Sequence, residues 1–144
     1  MKKWLCMLVC CLSVYVQAQV WTLKEKEPTA PGTWWCFRNT VTLEELPRSL
    51  ELRLAADTKY WLWVNGELQV SEGGLKRGPN PSDTYCDVIT SLPALRAGEN
   101  TVALLVWYFG KDGFSHRNSP TAGISFSLSC DGKEVEPDAK WRGE

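Results

Sequence analysis

From Trp34 onward the apolar residues of this chain recur at every second position in short runs, and no helical period is sustained for more than two turns. Period two belongs to strands with one buried face, because successive side chains point to opposite sides of a sheet. Residues 35–43 alternate and read as a first strand, with Pro47 marking the turn after it. In 50–56 the inward set is Leu50, Leu52 and Leu54. Residues 60–64 form a third strand that ends at Asn65-Gly66, a pair tolerant of the positive φ that a two-residue hairpin requires, and 67–70 is its return strand. Residues 101–109 are apolar in both phases, which predicts a central strand covered on each side. The run 123–130 places Ile124, Phe126 and Leu128 inward and leads into a second hairpin turn at Asp131-Gly132. Many short strands with hairpin turns and no helix predict an all-β antiparallel sandwich of the jelly-roll type. Two long irregular loops interrupt it, 71–84 and 110–121, and long loops in small domains tend to carry function.

The N-terminus has a different character. Lys2 and Lys3 precede an uncharged, largely apolar stretch over 4–16, and Val16-Gln17-Ala18 has the small-residue spacing of a signal-peptidase site. The expectation is a signal peptide over 1–18, a linker over 19–33 carrying Lys24-Glu25-Lys26-Glu27 and two prolines, and a folded module over 34–144. The apolar stretch is shorter than the roughly 20 residues that span a bilayer core, and neither Cys10 nor Cys11 follows the small residue usual for lipidation. The predicted destination is therefore the periplasm or the exterior of a bacterial cell, with no membrane attachment after cleavage.

About 125 residues then remain, enough for one domain with one core. A net charge of −1 gives no reason to expect nucleic acid or an anionic membrane as partner. Eight Trp are the compositional outlier, and each taken by itself is expected in the core. Cys36, Cys86 and Cys130 are too widely spaced for a zinc site or a redox pair, and three buried unpaired thiols are expected in preference to one bridge.

Several stretches then occur in a telling order: Ala55-Ala56-Asp57-Thr58-Lys59-Tyr60-Trp61-Leu62-Trp63-Val64-Asn65-Gly66, Arg77-Gly78-Pro79, Tyr85, Asp87-Val88-Ile89-Thr90, Gly98-Glu99-Asn100-Thr101-Val102-Ala103, Trp107-Tyr108-Phe109-Gly110-Lys111-Asp112-Gly113-Phe114-Ser115, and Asp131-Gly132 before Trp141. Together they resemble the N-terminal galactose-binding-like domain of bacterial α-L-rhamnosidases and related glycoside hydrolases. The resemblance implies a jelly-roll sandwich that precedes a catalytic (α/α)6 barrel, and no barrel is present in this chain. It implies a non-catalytic accessory module, in a truncated or split gene product, whose partner is a carbohydrate or a glycoside hydrolase catalytic domain. Some modules of the superfamily hold sugar and structural calcium, but no dense Asp/Asn cluster here singles out a calcium site, and no cofactor is expected.

The candidate chemistry agrees with a module lacking turnover. Glycoside hydrolysis needs two carboxyl groups held roughly 5 to 9.5 Å apart across the scissile bond, whereas Asp57, Asp83, Asp87 and Asp112 are scattered over turns and strand ends. His116, the sole histidine, lies in a polar loop and is expected at the solvated surface. The ligand-binding candidates are Asp57, Arg77, Asn80 and Asp83, whose planar donors and acceptors suit hydroxyl groups, and the pair Trp61 and Trp63. For Asp57 a turn cap is expected ahead of ligand contact, and the 77–83 loop equally suits docking on a neighbouring domain. In 60–64 the Leu62 and Val64 phase belongs to the core, so Trp61 and Trp63 point outward, either as an exposed contact patch or under the linker or the long loop.

Overall fold

The computed structural model describes residues 23–24, 29–75, 86–114, 116–118, 121–138 and 140–143. The signal-peptide segment and most of the 71–84 loop, with Arg77, Asn80 and Asp83, lie outside these residues. In chain order the strands are β1 (Leu23–Lys24), β2 (Thr33–Leu43), β3 (Leu50–Asp57), β4 (Lys59–Val64), β5 (Glu67–Gly74), β6 (Asp87–Ile89), β7 (Gly98–Tyr108), β8 (Gly123–Cys130), β9 (Lys133–Val135) and β10 (Arg142–Gly143). No helix occurs among the described residues. They form two antiparallel sheets, one ordered β1-β8-β3-β6 with β9 beside β8, the other β10-β2-β7-β4-β5. The chain is an all-β sandwich.

The alternation seen in the sequence decides which side of each strand enters the core. Leu52 and Leu54 of β3 and Ile124, Phe126 and Leu128 of β8 meet Phe37 and Val41 of β2, Leu62 and Val64 of β4, and Val102, Leu104 and Val106 of β7. Tyr60 joins this layer fully buried, and its hydroxyl donates to Asp87 Oδ2 at 2.7 Å. The same oxygen accepts the Gly74 N–H at 2.8 Å, so one carboxylate pins β4, β5 and β6 across the two sheets. Gly73 permits that approach, because a Cβ there would collide with the Tyr60 ring.

Both predicted hairpins are present. Asn65 (φ 51°) and Gly66 (φ 84°) turn β4 into β5, and Asp131 (φ 49°) and Gly132 (φ 76°) turn β8 into β9. Asn65 also reaches sideways: its Nδ2 donates to Ala94 O at 2.7 Å and to Asn100 Oδ1 at 2.8 Å, while its Oδ1 accepts Thr101 N–H at 3.0 Å. Asn100, wholly buried, accepts Arg96 N–H at 2.9 Å and donates to Arg96 O at 2.8 Å and Gly98 O at 3.0 Å. Two motif asparagines thus satisfy backbone groups in the 92–98 turn that strand pairing leaves over.

One feature differs from expectation. β7 is central, paired with β2 and β4, but only its Val102, Leu104 and Val106 side is buried. Its other side is half-covered by aromatic side chains of its own sheet, with no second layer of strands among the described residues. Within 19–33, Leu23–Lys24 pairs with β8, Thr29 Oγ1 accepts the Ala122 N–H at 2.9 Å, and Gly32 N–H donates to Tyr108 O at 3.1 Å, so the described parts of this stretch lie on the sandwich.

Acid should weaken this fold in a defined window. Backbone N–H donation from Ser49, supported by Arg48, holds the Asp131 carboxyl below its ordinary range. The Asn118 N–H and then the Arg117 guanidinium do the same for Asp112. With the folded values depressed, the stabilisation is complete above the unfolded carboxylate range, about pH 4, and is lost as pH falls through the folded values. A melting temperature that is flat from neutrality to about pH 5 and declines below pH 4 is expected, with a shallower decline in Asp131→Asn. An identical acid profile in that variant would contradict the assignment.

Candidate functional site

β2, β7 and β4 run side by side, so the residues out of phase with their core positions share one outer face. In register, Trp34 of β2 lies opposite Trp107 of β7, which lies opposite Lys59 of β4; one step on, Cys36, Leu105 and Trp61 align in the same way. Trp34 stacks on Trp107 with ring centroids 5.0 Å apart and planes at 8°. It also reaches across β7 to Trp61 at 5.6 Å. Phe109, two residues beyond Trp107, meets that indole edge-on at 4.6 Å. The result is a continuous aromatic row, Trp61-Trp34-Trp107-Phe109, laid obliquely over the sheet. Trp34 is 48% exposed, and on the far side of Trp63 the patch continues to Leu68, 50% exposed and opposite Trp63 in register.

At the end of the row, Pro31, Gly32, Trp107, Phe109 and Lys111 line an open, mostly apolar cleft of about 420 Å³. Gly110 (φ 70°) is essential to its shape, because a Cβ there would strike Pro31. Charges around the mouth are largely paired. Lys59 Nζ meets Glu72 at 2.9 Å and Arg117 meets Asp112 at 2.7 Å, whereas Lys111, exposed, has no acid within ion-pairing distance among the described residues.

Trp61 and Trp63 do point away from the core, as the alternation requires. Among the described residues, Trp34 of β2 packs beside Trp61, while most of the linker and of the 71–84 loop lie outside them. Asp57, last in β3, is fully buried and accepts the Thr58 hydroxyl at 3.1 Å. That places its carboxylate inside the sandwich. Of the eight Trp, Trp141 alone is buried among those described, edge-on to Phe126 at 5.0 Å, because the others that are described sit at the sheet end or on the outer face. Trp35 packs partly buried against the core, so the expectation of core tryptophans fails for Trp34, Trp61, Trp63 and Trp107.

His116 corrects a second expectation. It is 9% exposed, its ring packed edge-on against Phe109 at 5.5 Å and its Nε2 within 3.1 Å of Lys111 O. The polar loop folds back on itself here, and Gly113 allows it: a Cβ at that position would collide with the imidazole. The cysteines are unpaired, as expected, but not fully buried: Cys36 is exposed on the outer face, Cys86 and Cys130 are half-buried. Burial raises the thiols of Cys86 and Cys130 above the ordinary value.

Among the described residues no group of three or more His, Cys, Asp and Glu could hold a metal ion. No helix among them is long and apolar enough to cross a membrane.

No protein-family model matches the sequence, and no curated protein matches it either. Solved structures do. A GH78 family rhamnosidase of Bacillus sp. GL1 aligns over 83% of this chain with 30% identity and a TM-score of 0.66. The α-L-rhamnosidase of Streptomyces avermitilis, solved with L-rhamnose, aligns over 83% with 26% identity and a TM-score of 0.59. The Pleurotus ostreatus lectin aligns over 80% with 25% identity and a TM-score of 0.52, the match covering 30% of the lectin chain. Over most of its length, then, this chain is similar to a domain-sized segment of α-L-rhamnosidases, and it spans 12% and 11% of the two rhamnosidase chains.

Proposed function

We propose that this chain is a non-catalytic accessory module of the rhamnosidase type that recognises carbohydrate with the aromatic row and adjoining cleft of its outer sheet face. The observation that carries this reading is the Trp34–Trp107 stack, which leaves an indole half exposed beside an open cleft. Sugar rings present flat patches of C–H groups that an aromatic face covers well, and so large an apolar area left in water marks a contact surface. The similarity to rhamnosidases and to a lectin supports the same ligand class. The module is exported in this reading, its first 18 residues removed.

Catalysis finds no support among the described carboxylates. Asp57 is buried, Asp87 receives Tyr60 and Gly74, Asp112 is taken by Arg117 and Asn118, and none lines the cleft. No hydrolysis of aryl rhamnosides is expected.

A second reading rests on the breadth of the patch. It runs on through Trp63, Leu68 and Cys36, further than one sugar ring extends, as a surface for docking an enzyme body would. Titration with L-rhamnose and rhamnose-containing oligosaccharides, followed by Trp fluorescence, separates the two. Saturable quenching that Trp34→Ala weakens about ten-fold or more, with a melting temperature within a few degrees of the parent, is the expected result; one aromatic stacking contact of roughly 1.5 kcal/mol corresponds to that factor. A flat titration would favour docking, and equal affinity in the variant would remove Trp34 from the site.

A further inference from the structure

The cleft beside Trp107 is chemically one-sided, and that bears on which sugars it suits. Among the described residues that line it, Pro31, Gly32, Trp107 and Phe109 bring no charged group, and the charged side chain is Lys111. Lysine offers three donors and no acceptor. A neutral sugar is ordinarily oriented by planar polar groups, such as carboxylates, amides and guanidinium groups, and among the described residues no side chain of that kind lines this cleft. The nearby candidates are occupied: Asp112 and Arg117 hold each other, Asn118 Nδ2 donates to Tyr108 Oη at 2.9 Å, and His116 turns its Nε2 to Lys111 O. Lys59, opposite Trp107 in register, is paired with Glu72. Among the described residues, what remains is an aromatic wall with the unpaired charge of Lys111 at its rim.

We propose that the cleft takes a sugar ring bearing a carboxylate, a uronic acid residue, with the ring against Trp107 and Phe109 and the carboxylate on Lys111 Nζ. This specificity rests on the carbohydrate reading above. The volume, about 420 Å³, lies within the range of small-ligand clefts. A charge-assisted hydrogen bond between ammonium and carboxylate is about twice as strong as one between neutral groups, so the acid is preferred over its neutral counterpart.

The test is a calorimetric or Trp-fluorescence titration of the full chain with D-glucuronate and D-galacturonate, alongside D-glucose, D-galactose, L-rhamnose and acetate. Both uronates are expected to bind about ten-fold more tightly than the neutral hexoses, with the preference abolished in Lys111→Ala and restored in Lys111→Arg. Because Lys111 is exposed, neither variant threatens the fold. Uronates and neutral sugars binding alike would overturn this proposal and leave the carbohydrate reading in place. Acetate binding as tightly as the uronates would also overturn it, by showing that the ring contributes nothing. No binding of any sugar would remove the carbohydrate reading and this proposal with it.

Discussion

Asn100→Ala is expected to destabilise the fold by about 3 to 4 kcal/mol, more than any surface substitution on the outer face. The side chain is wholly buried and serves Arg96 N–H, Arg96 O, Gly98 O and Asn65 Nδ2. Truncation takes their partner from the Arg96 N–H and two carbonyls at a part-buried turn and empties the buried site of the amide itself, and a group left without its partner away from water costs about 1 to 3 kcal/mol. Asn65 keeps its bond to Ala94 O, so the loss stays below the sum of four such terms. Urea unfolding should show a lower midpoint at an unchanged slope. A double-mutant cycle with Asn65→Ala should return a coupling of about 1 kcal/mol or more, because the two amides share one network. A loss under about 1 kcal/mol for Asn100→Ala would contradict the network as described.

The second large effect separates the two faces of β4. Leu62→Ala should cost about 3 kcal/mol, since it opens a cavity in a fully enclosed layer between Leu104 and the opposite sheet. Trp63→Ala, a far larger truncation, should cost less, about 1 to 2 kcal/mol, because its half-buried ring gives up only part of an aromatic side chain's area. Side-chain size alone predicts the reverse order. Finding Trp63→Ala the more damaging would place the Trp side of β4 in the interior.

That contrast was legible in the sequence, because strand alternation is local: once Leu62 and Val64 are assigned inward, Trp61 and Trp63 must face out. The inward phase of β3 and β8 followed from the same rule and both hairpin turns from their Asn-Gly and Asp-Gly pairs, whereas β5 runs on to Gly74 in a stretch that reads as loop and β7 begins at Gly98. The aromatic row did not. Trp34 meets Trp61 only because β2 and β4 flank β7, and strand order is a long-range property that alternation leaves undetermined. A partial signal was available. In 101–109 the phase Ala103, Leu105, Trp107, Phe109 is apolar although it opposes the core phase, and Trp34 stands out of phase with Phe37 and Val41. His116 was illegible for a different reason: a polar loop hid an imidazole whose burial depends on the absence of a Cβ at Gly113. Asn65 and Asn100 were visible as turn residues, but the distance of 2.8 Å that joins them crosses two turns separated in the chain.

The claim that the aromatic row and its cleft form a carbohydrate-binding face is tested most directly by indole N–H resonances in a ¹⁵N-labelled chain, recorded during addition of rhamnose-containing oligosaccharide or uronate. Trp34 and Trp107 should shift most and Trp61 less, while Trp141, buried against Phe126 on the core side, should stay fixed as an internal reference. Unchanged signals from Trp34 and Trp107 at ligand concentrations in the tens of millimolar, or shifts confined to residues away from the row, would contradict the account.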